Sequence, residues 1–211
     1  MNYSAIFAPA INIMMWLLPA LLVLSLLKSS WAKGHIGELW VRLLAHWKLD
    51  KAVYRRVHNV TLDTADGTTQ IDHVFISPFG IFVLETKNMR GWIFGSEQQA
   101  QWTQKIYRQT FRFQNPLRQN YKHLKALEAT LGVDMACLHS VISFMGDSTF
   151  KTPMPVNVTH GAGFIRYIRS FRQPVFNEAQ VEALVNALLT NRRPPNRATH
   201  REHVRNLKRR G

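Results

Sequence analysis

The order of apolar patterns along these 211 residues predicts a mixed α/β (α+β) domain, a central mixed sheet flanked by helices, preceded by one N-terminal transmembrane helix. Three observations carry that expectation. A helical stripe precedes three β-type runs spaced as antiparallel neighbours. A second helical stripe, a buried-type strand and a third helix follow. The first 27 residues, finally, contain no charged side chain.

From Ala5 to Leu27 the chain is apolar apart from Asn12 and Ser25. A helix of that length spans about 35 Å, against a hydrocarbon core of about 30 Å. Pro9 sits near its start, and Pro19 kinks it, which membrane helices tolerate. A cleaved signal peptide is the competing reading; the lack of Lys or Arg before the run and the lack of a small-residue cleavage site speak against it. Lys28, Lys33, Arg42, Lys48 and Lys51 follow the run and none precedes it. That asymmetry places the N-terminus outside and the rest in the cytoplasm as a single-pass protein. The expected organisation is an anchor over 1–30, a folded domain over 31–191 and a basic tail over 192–211.

Gly34 to Trp47 has Ile36, Leu39, Trp40, Leu43, Leu44 and Trp47 at helical spacing, which predicts one wide buried stripe with Glu38 beside it. Ala52 to Leu62 reads as a first strand and Asp63–Gly67 as its turn. Thr68 to Asn88 reads as a hairpin around Pro78-Phe79. With Ser77 opposite Gly80, Ile76 faces Ile81, Val74 faces Val83, Asp72 faces Glu85 and Gln70 faces Lys87, all on one face. Gly91–Gly95 and Trp102–Tyr107 suggest a smaller hairpin with Trp92 and Trp102 in its core. Asn115-Pro116 starts a helix, Pro suiting its first turn, and Gly132 ends it. Ala136–Phe144 is a further buried strand, Val156–Val158 a short one, and Gly161-Ala162-Gly163 a loop. Asn177 caps a last helix carrying Val181, Leu184, Val185, Leu188 and Leu189. His73 points to the core side of its strand.

One cysteine, Cys137, excludes an internal disulfide framework and a cysteine-based zinc ribbon. A net charge of +14 favours a polyanionic partner, either nucleic acid or an anionic membrane face. The tail beyond Asn191 has eight Lys or Arg and one acid, and Arg197, Arg201, Arg205 and Arg209 recur every four residues, so a helix would align them as a basic stripe. A solvated, disordered tail or a lipid-facing one are the other readings of that composition.

Two acids directly opposite one another repel. Asp72 and Glu85 offer hard oxygen ligands, which suit Mg²⁺ or Mn²⁺ rather than zinc. Taken alone, the pair reads more simply as an ion-pair network with Lys87 and a nearby arginine. The hairpin parity, Glu38 upstream and the ordered motifs downstream tip the balance toward a metal site.

Those motifs are Gly37-Glu38, Gln70-Ile71-Asp72-His73, Gly80 to Asn88 with its Glu85-Thr86-Lys87, Gly91-Trp92-Ile93-Phe94-Gly95, Trp102 and Asn115-Pro116-Leu117-Arg118-Gln119. In this order they resemble the nuclease-related domain (NERD) family, a branch of the PD-(D/E)xK nuclease superfamily, over about half the chain. Ile71 stands where the superfamily usually has proline. The resemblance implies a restriction-endonuclease-like core and metal-dependent phosphodiester cleavage. It implies catalytic roles for Glu38, Asp72, Glu85, Lys87 and Gln70, with Asp72 and Glu85 as ligands to Mg²⁺ or Mn²⁺ and Gln119 supporting from behind. DNA is the expected substrate ahead of RNA. The alternative is a tethered nucleic-acid-binding or scaffolding module whose nuclease site has decayed.

Overall fold

In a computed structural model, residues 14–19, 21–22, 25, 29–195, 199 and 205 are described. Helix α1 (Ser30–Lys48) is followed by β1 (Arg55–Thr64), β2 (Gly67–Ser77), β3 (Gly80–Asn88), β4 (Gly91–Phe94), β5 (Gln101–Ile106) and β6 (Gln109–Gln114). Then come α2 (Pro116–Leu131), β7 (Leu138–Met145), β8 (Ser148–Phe150), β9 (Val158–His160), α3 (Gly163–Ser170) and α4 (Glu178–Asn191). The fold is mixed α/β with two mixed sheets, ordered β1-β2-β3-β7-β9 and β6-β5-β4-β8. In the larger sheet β1, β2 and β3 are antiparallel, while β7 and β9 run parallel to their neighbours.

The alternation of side chains along β2 and β3 divides the core. Val74, Ile76, Ile81 and Val83 pack under α2 and α4, against Leu124, Leu127, Val181 and Leu188. Phe75, Phe82 and Leu84 pack on the other face against Val41 and Ala45 of α1 and Phe164, Ile165 and Ile168 of α3. A third cluster joins the two sheets: Trp102 stacks on Phe144 with ring centroids 6.2 Å apart, beside Ile93, Ile142 and Val158.

Several expectations are corrected. The predicted α1 stripe faces the core only in part: Leu44 packs against the cluster on the α1/α3 face and Leu43 is half-buried. Ile36, Leu39, Trp40 and Trp47 are exposed, Leu39 to 55%, Trp40 to 51% and Trp47 to 66%. The packed face is Gly37, Val41 and Ala45, small side chains four apart that bring the helix close to β3. A Cβ on Gly37 would lie 2.9 Å from Asn88 Cβ. Hydropathy marks the apolar stripe, whereas closeness of approach selects the face that packs.

The β1–β2 turn and the Ser77↔Gly80, Ile76↔Ile81 and Val74↔Val83 pairs form as expected. The β2–β3 ladder, however, stops at His73↔Leu84, so Asp72 does not pair with Glu85, and Gln70 pairs with Thr61 of β1 rather than with Lys87. The small hairpin is real, but β6 and β8 extend it to four strands. Trp102 is buried, whereas Trp92 is exposed, with Lys151 Nζ 4.7 Å above its ring. The residues expected to loop at Gly161–Gly163 lead directly into α3.

Among the described residues, no helix is long and apolar enough to cross a membrane. The expected anchor Ala5–Leu27 lies largely outside them; residues 14–19, 21–22 and 25 are helical. Of the tail arginines only Arg205 is described, exposed and helical, and Arg197, Arg201 and Arg209 lie outside. After α4 the chain returns to the sheet edge: Arg193 donates its backbone N–H to Thr61 O at 2.8 Å, and its guanidinium lies 2.8 Å from Asp63 Oδ1.

Candidate active site

Where the β2–β3 ladder ends, the strands separate and polar side chains fill the opening. Asp72 Oδ2 accepts the backbone N–H of Thr86 at 2.9 Å, so a carboxylate replaces the next cross-strand carbonyl. On β1, the position opposite Asp72 is Asn59, between the His58↔His73 and Val60↔Ile71 pairs. Asn59 has φ 52°, a left-handed conformation in mid-strand that an asparagine tolerates better than most residues.

Glu85 continues the Ile81–Val83 face and is only 4% exposed. Its Oε1 accepts Lys87 Nζ at 2.7 Å and Gln119 Nε2 at 2.8 Å, and Gln119 Oε1 in turn accepts Lys87 Nζ at 2.9 Å. The three side chains close a triangle. Glu85 Oε2 lies 3.3 Å from His123 Nε2, an ion-pair distance reached without the alignment of a hydrogen bond, so both atoms are buried and lack a hydrogen-bond partner. The other ring nitrogen of His123, Nδ1, is 2.7 Å from Thr69 Oγ1.

Helix α2 holds the far side of this network. Asn115 caps it by accepting the Leu117 N–H at 2.9 Å, and its amide ties down the 96–99 loop through the carbonyls of Ser96, Glu97 and Gln99. One turn on, buried Asn120 donates to Val83 O at 2.8 Å and Ser140 Oγ at 2.9 Å, locking α2 across β3 and β7. Gln119 and His123, one helical turn apart, are thereby fixed over Glu85.

The two carboxyls are driven apart electrostatically. Burial, and then the Glu85 charge, raise Asp72 well above the usual carboxylate range, with a smaller push from Glu38 against the opposing Thr86 hydrogen bond and Lys87. Burial would raise Glu85 as well, but Lys87 and His123 together outweigh it and hold its carboxyl below the ordinary value. Two neighbouring acids of opposite tendency mark sites built for acid–base or metal chemistry.

The arrangement offers a divalent ion two carboxylates. An oxygen pair in which one carboxylate resists ionisation, and the other has its Oε2 buried 3.3 Å from His123 Nε2, would take up added positive charge favourably. One or two carboxylates plus water and substrate phosphate suffice for Mg²⁺. Among the described residues no group of three or more His, Cys, Asp or Glu side chains is placed to hold a metal ion, so any ion here would rest on the Asp72–Glu85 pair.

Of the sequence-predicted residues, Asp72, Glu85 and Lys87 come together, joined by Gln119. Glu38 on α1 is near enough for its charge to act on Asp72, and it lies 3.9 Å from Arg42. Gln70 stands on the β1 side of β2, and Gln119 takes the contact with Lys87 that strand pairing assigned to it. Sequence reasoning missed His123, Thr69 and Asn120. The signal for His123 and Asn120 was polar residues on the face of α2 that its leucines bury, whereas Thr69 lies on β2. His73 is fully buried, as expected, with Nδ1 2.8 Å from His58 Nδ1.

These motifs and this geometry define a nuclease-related domain, and the chain belongs to that family: its residues 33–145 match the nuclease-related domain. The chain is also similar to an uncharacterized protein of Bacillus anthracis, 41% identical over 162 residues that cover 75% of this chain and 70% of that protein. No solved structure matches it.

Proposed function

We propose that this protein is a metal-dependent nuclease that hydrolyses phosphodiester bonds, with DNA as the preferred substrate, and that its core belongs with the restriction-endonuclease-like folds of the PD-(D/E)xK superfamily. The observation that carries the reading is the Asp72–Glu85–Lys87–Gln119 cluster at the point where β2 and β3 separate. Asp72 and Glu85 would hold Mg²⁺ or Mn²⁺, an ion that would supply Lewis-acid polarisation of a phosphoryl oxygen and a more acidic water. Lys87 presents its ammonium to charge developing on the phosphoryl group. Gln119 fixes the Lys87 amine, His123 on the same helix supports the second oxygen of Glu85, and Glu38 adds negative charge from α1. Gln70 is assigned to positioning water at the site's β1 side.

The basic tail (Arg197, Arg201, Arg205, Arg209) is proposed to hold nucleic-acid phosphates. Ala5–Leu27 is proposed as a single-pass tether, N-terminus outside and domain in the cytoplasm. The outward apolar stripe of α1, with Trp40 and Trp47, supports a membrane-side placement, since amphipathic aromatics favour the lipid–water interface.

One observation favours the second reading, a binding module without turnover: two of the three Lys87 ammonium donors are already engaged by Glu85 and Gln119. The discriminating experiment offers the full-length protein plasmid, linear and single-stranded DNA and RNA with Mg²⁺ or Mn²⁺. Cleavage that stops on chelation and in Glu85→Ala supports the nuclease. Salt-sensitive binding with no cleavage under either metal supports the binding module.

A further inference from the structure

Far from the acid cluster, the α1/α3 face of the large sheet carries a groove of about 760 Å³. It opens beside the β2–β3 turn. Asp72 and Glu85 each lie six residues from that turn, about 20 Å along the strands, and Glu85 faces the side covered by α2. The groove is therefore a separate place on the molecule.

Four cations line it: Lys48 at the end of α1, Arg166 and Arg169 on α3, and Arg172 just after. No acid is among the lining residues, and among the described residues none of the four makes an ion pair. All four side chains are exposed. An isolated exposed arginine is ordinarily just solvated. Four unpaired cations around one concavity repel one another and together set up a positive potential that selects for an anion. Their planar guanidinium groups match phosphate oxygens in particular.

The walls add a second chemistry. Phe79, at the hairpin turn, and Phe171 are partly open to the groove and held rigidly. Phe171 lies 4.1 Å from the His139 ring and 5.2 Å from Phe82, centroid to centroid, and Phe79 is 6.4 Å from Tyr54. Fixed aromatic faces interleaved with arginines suit unpaired bases on a phosphate backbone better than a lipid headgroup, which offers no ring to stack. Three of the four cations lie beyond residue 145, outside the segment that matches the family.

We infer that the groove is a second nucleic-acid site that binds single strands, with phosphates on Lys48, Arg166, Arg169 and Arg172 and bases against Phe79 and Phe171. It would hold a strand remote from the cutting centre, and it rests on the nuclease reading for the class of its ligand. The test is fluorescence anisotropy of a labelled oligothymidine with the full-length protein in EDTA, for wild type, Arg166→Ala/Arg169→Ala and Arg166→Lys/Arg169→Lys. The alanine pair should bind at least tenfold more weakly. Its log–log salt slope should be shallower by about 1.4, two phosphate contacts at about 0.7 each for single strands, and the lysine pair should restore most of it. Wild-type binding with an unchanged affinity and slope in the alanine pair overturns this inference and leaves the nuclease reading standing. Loss of binding to phosphatidylglycerol vesicles with oligonucleotide affinity intact overturns it in favour of lipid. Failure of the wild type to bind any nucleic acid overturns both.

Discussion

Asp72 is placed where function and stability pull in opposite directions. Its carboxyl is held well above the usual carboxylate range by burial and by Glu85, so ionising it costs more in the folded protein than in the unfolded chain. Asp72→Asn removes that cost while keeping an oxygen for the Thr86 N–H. Without divalent ions the variant should melt higher than wild type by about 2–4 °C, the change that 1 kcal/mol makes in a domain of this size. Adding Mn²⁺ should then raise the melting temperature of wild type only, by up to about 2.7 kcal/mol of stabilisation at a hundredfold excess over Kd. Calorimetry with and without Mn²⁺ measures both effects. The acid pair and Lys87 were legible from strand parity. Gln119 was legible as a support through the family resemblance. His123 and Thr69 were not, because their contacts with Glu85 and with each other cross from helix to sheet, and no periodicity within one element encodes them.

At the level of elements, the hairpin and the Asn115-capped α2 were readable because turn and cap chemistry is local. The facing of α1 was not, because the packed face is chosen by how closely Gly37 lets the helix approach Thr86 and Asn88. Two glycines three residues apart in α1 make this testable. A Cβ on Gly34 meets nothing within 4 Å, so Gly34→Ala should stabilise by about 0.5–1 kcal/mol through chain entropy. Gly37→Ala drives a methyl into Asn88 and should cost about 1–3 kcal/mol. Urea unfolding of the two variants should move in opposite directions. The β1–β2 pair supplies a pH dependence. Burial, helped by Arg42 and Arg56, lowers His58 to about 4, and burial with His58 and Arg42 lowers His73 well below its normal value. The unfolded chain takes up protons near pH 6.5, which the folded pair refuses. Stability is therefore full above about pH 6.5 and falls as pH drops toward 4. Melting temperatures from pH 7 to 4.5 should fall steeply in wild type and much less in His58→Phe/His73→Leu.

On the scale of the whole molecule, charge and topology divide the labour. The net charge of +14 includes eight Lys or Arg in the tail beyond Asn191, and four further cations line the α3 groove, apart from the Asp72–Glu85 acid pair. Deleting 196–211, beyond the Arg193 clamp on Asp63, removes six Lys or Arg and should weaken duplex DNA binding while leaving the melting temperature unchanged; binding measured across salt concentrations checks it. Composition made the polyanion preference readable, whereas the groove was not, because its cations come from segments more than a hundred residues apart, Lys48 and Arg166, and meet only in the fold. Hydrolysis by the Asp72–Glu85–Lys87 cluster is the proposal on which the other roles depend. Its most direct test is the single-turnover cleavage rate of end-labelled DNA at saturating Mn²⁺ for wild type, Glu85→Gln and Lys87→Ala, each verified as folded. The account predicts chelator-sensitive cleavage by wild type and a loss of at least 100-fold in both variants. Equal rates in all three proteins would contradict it.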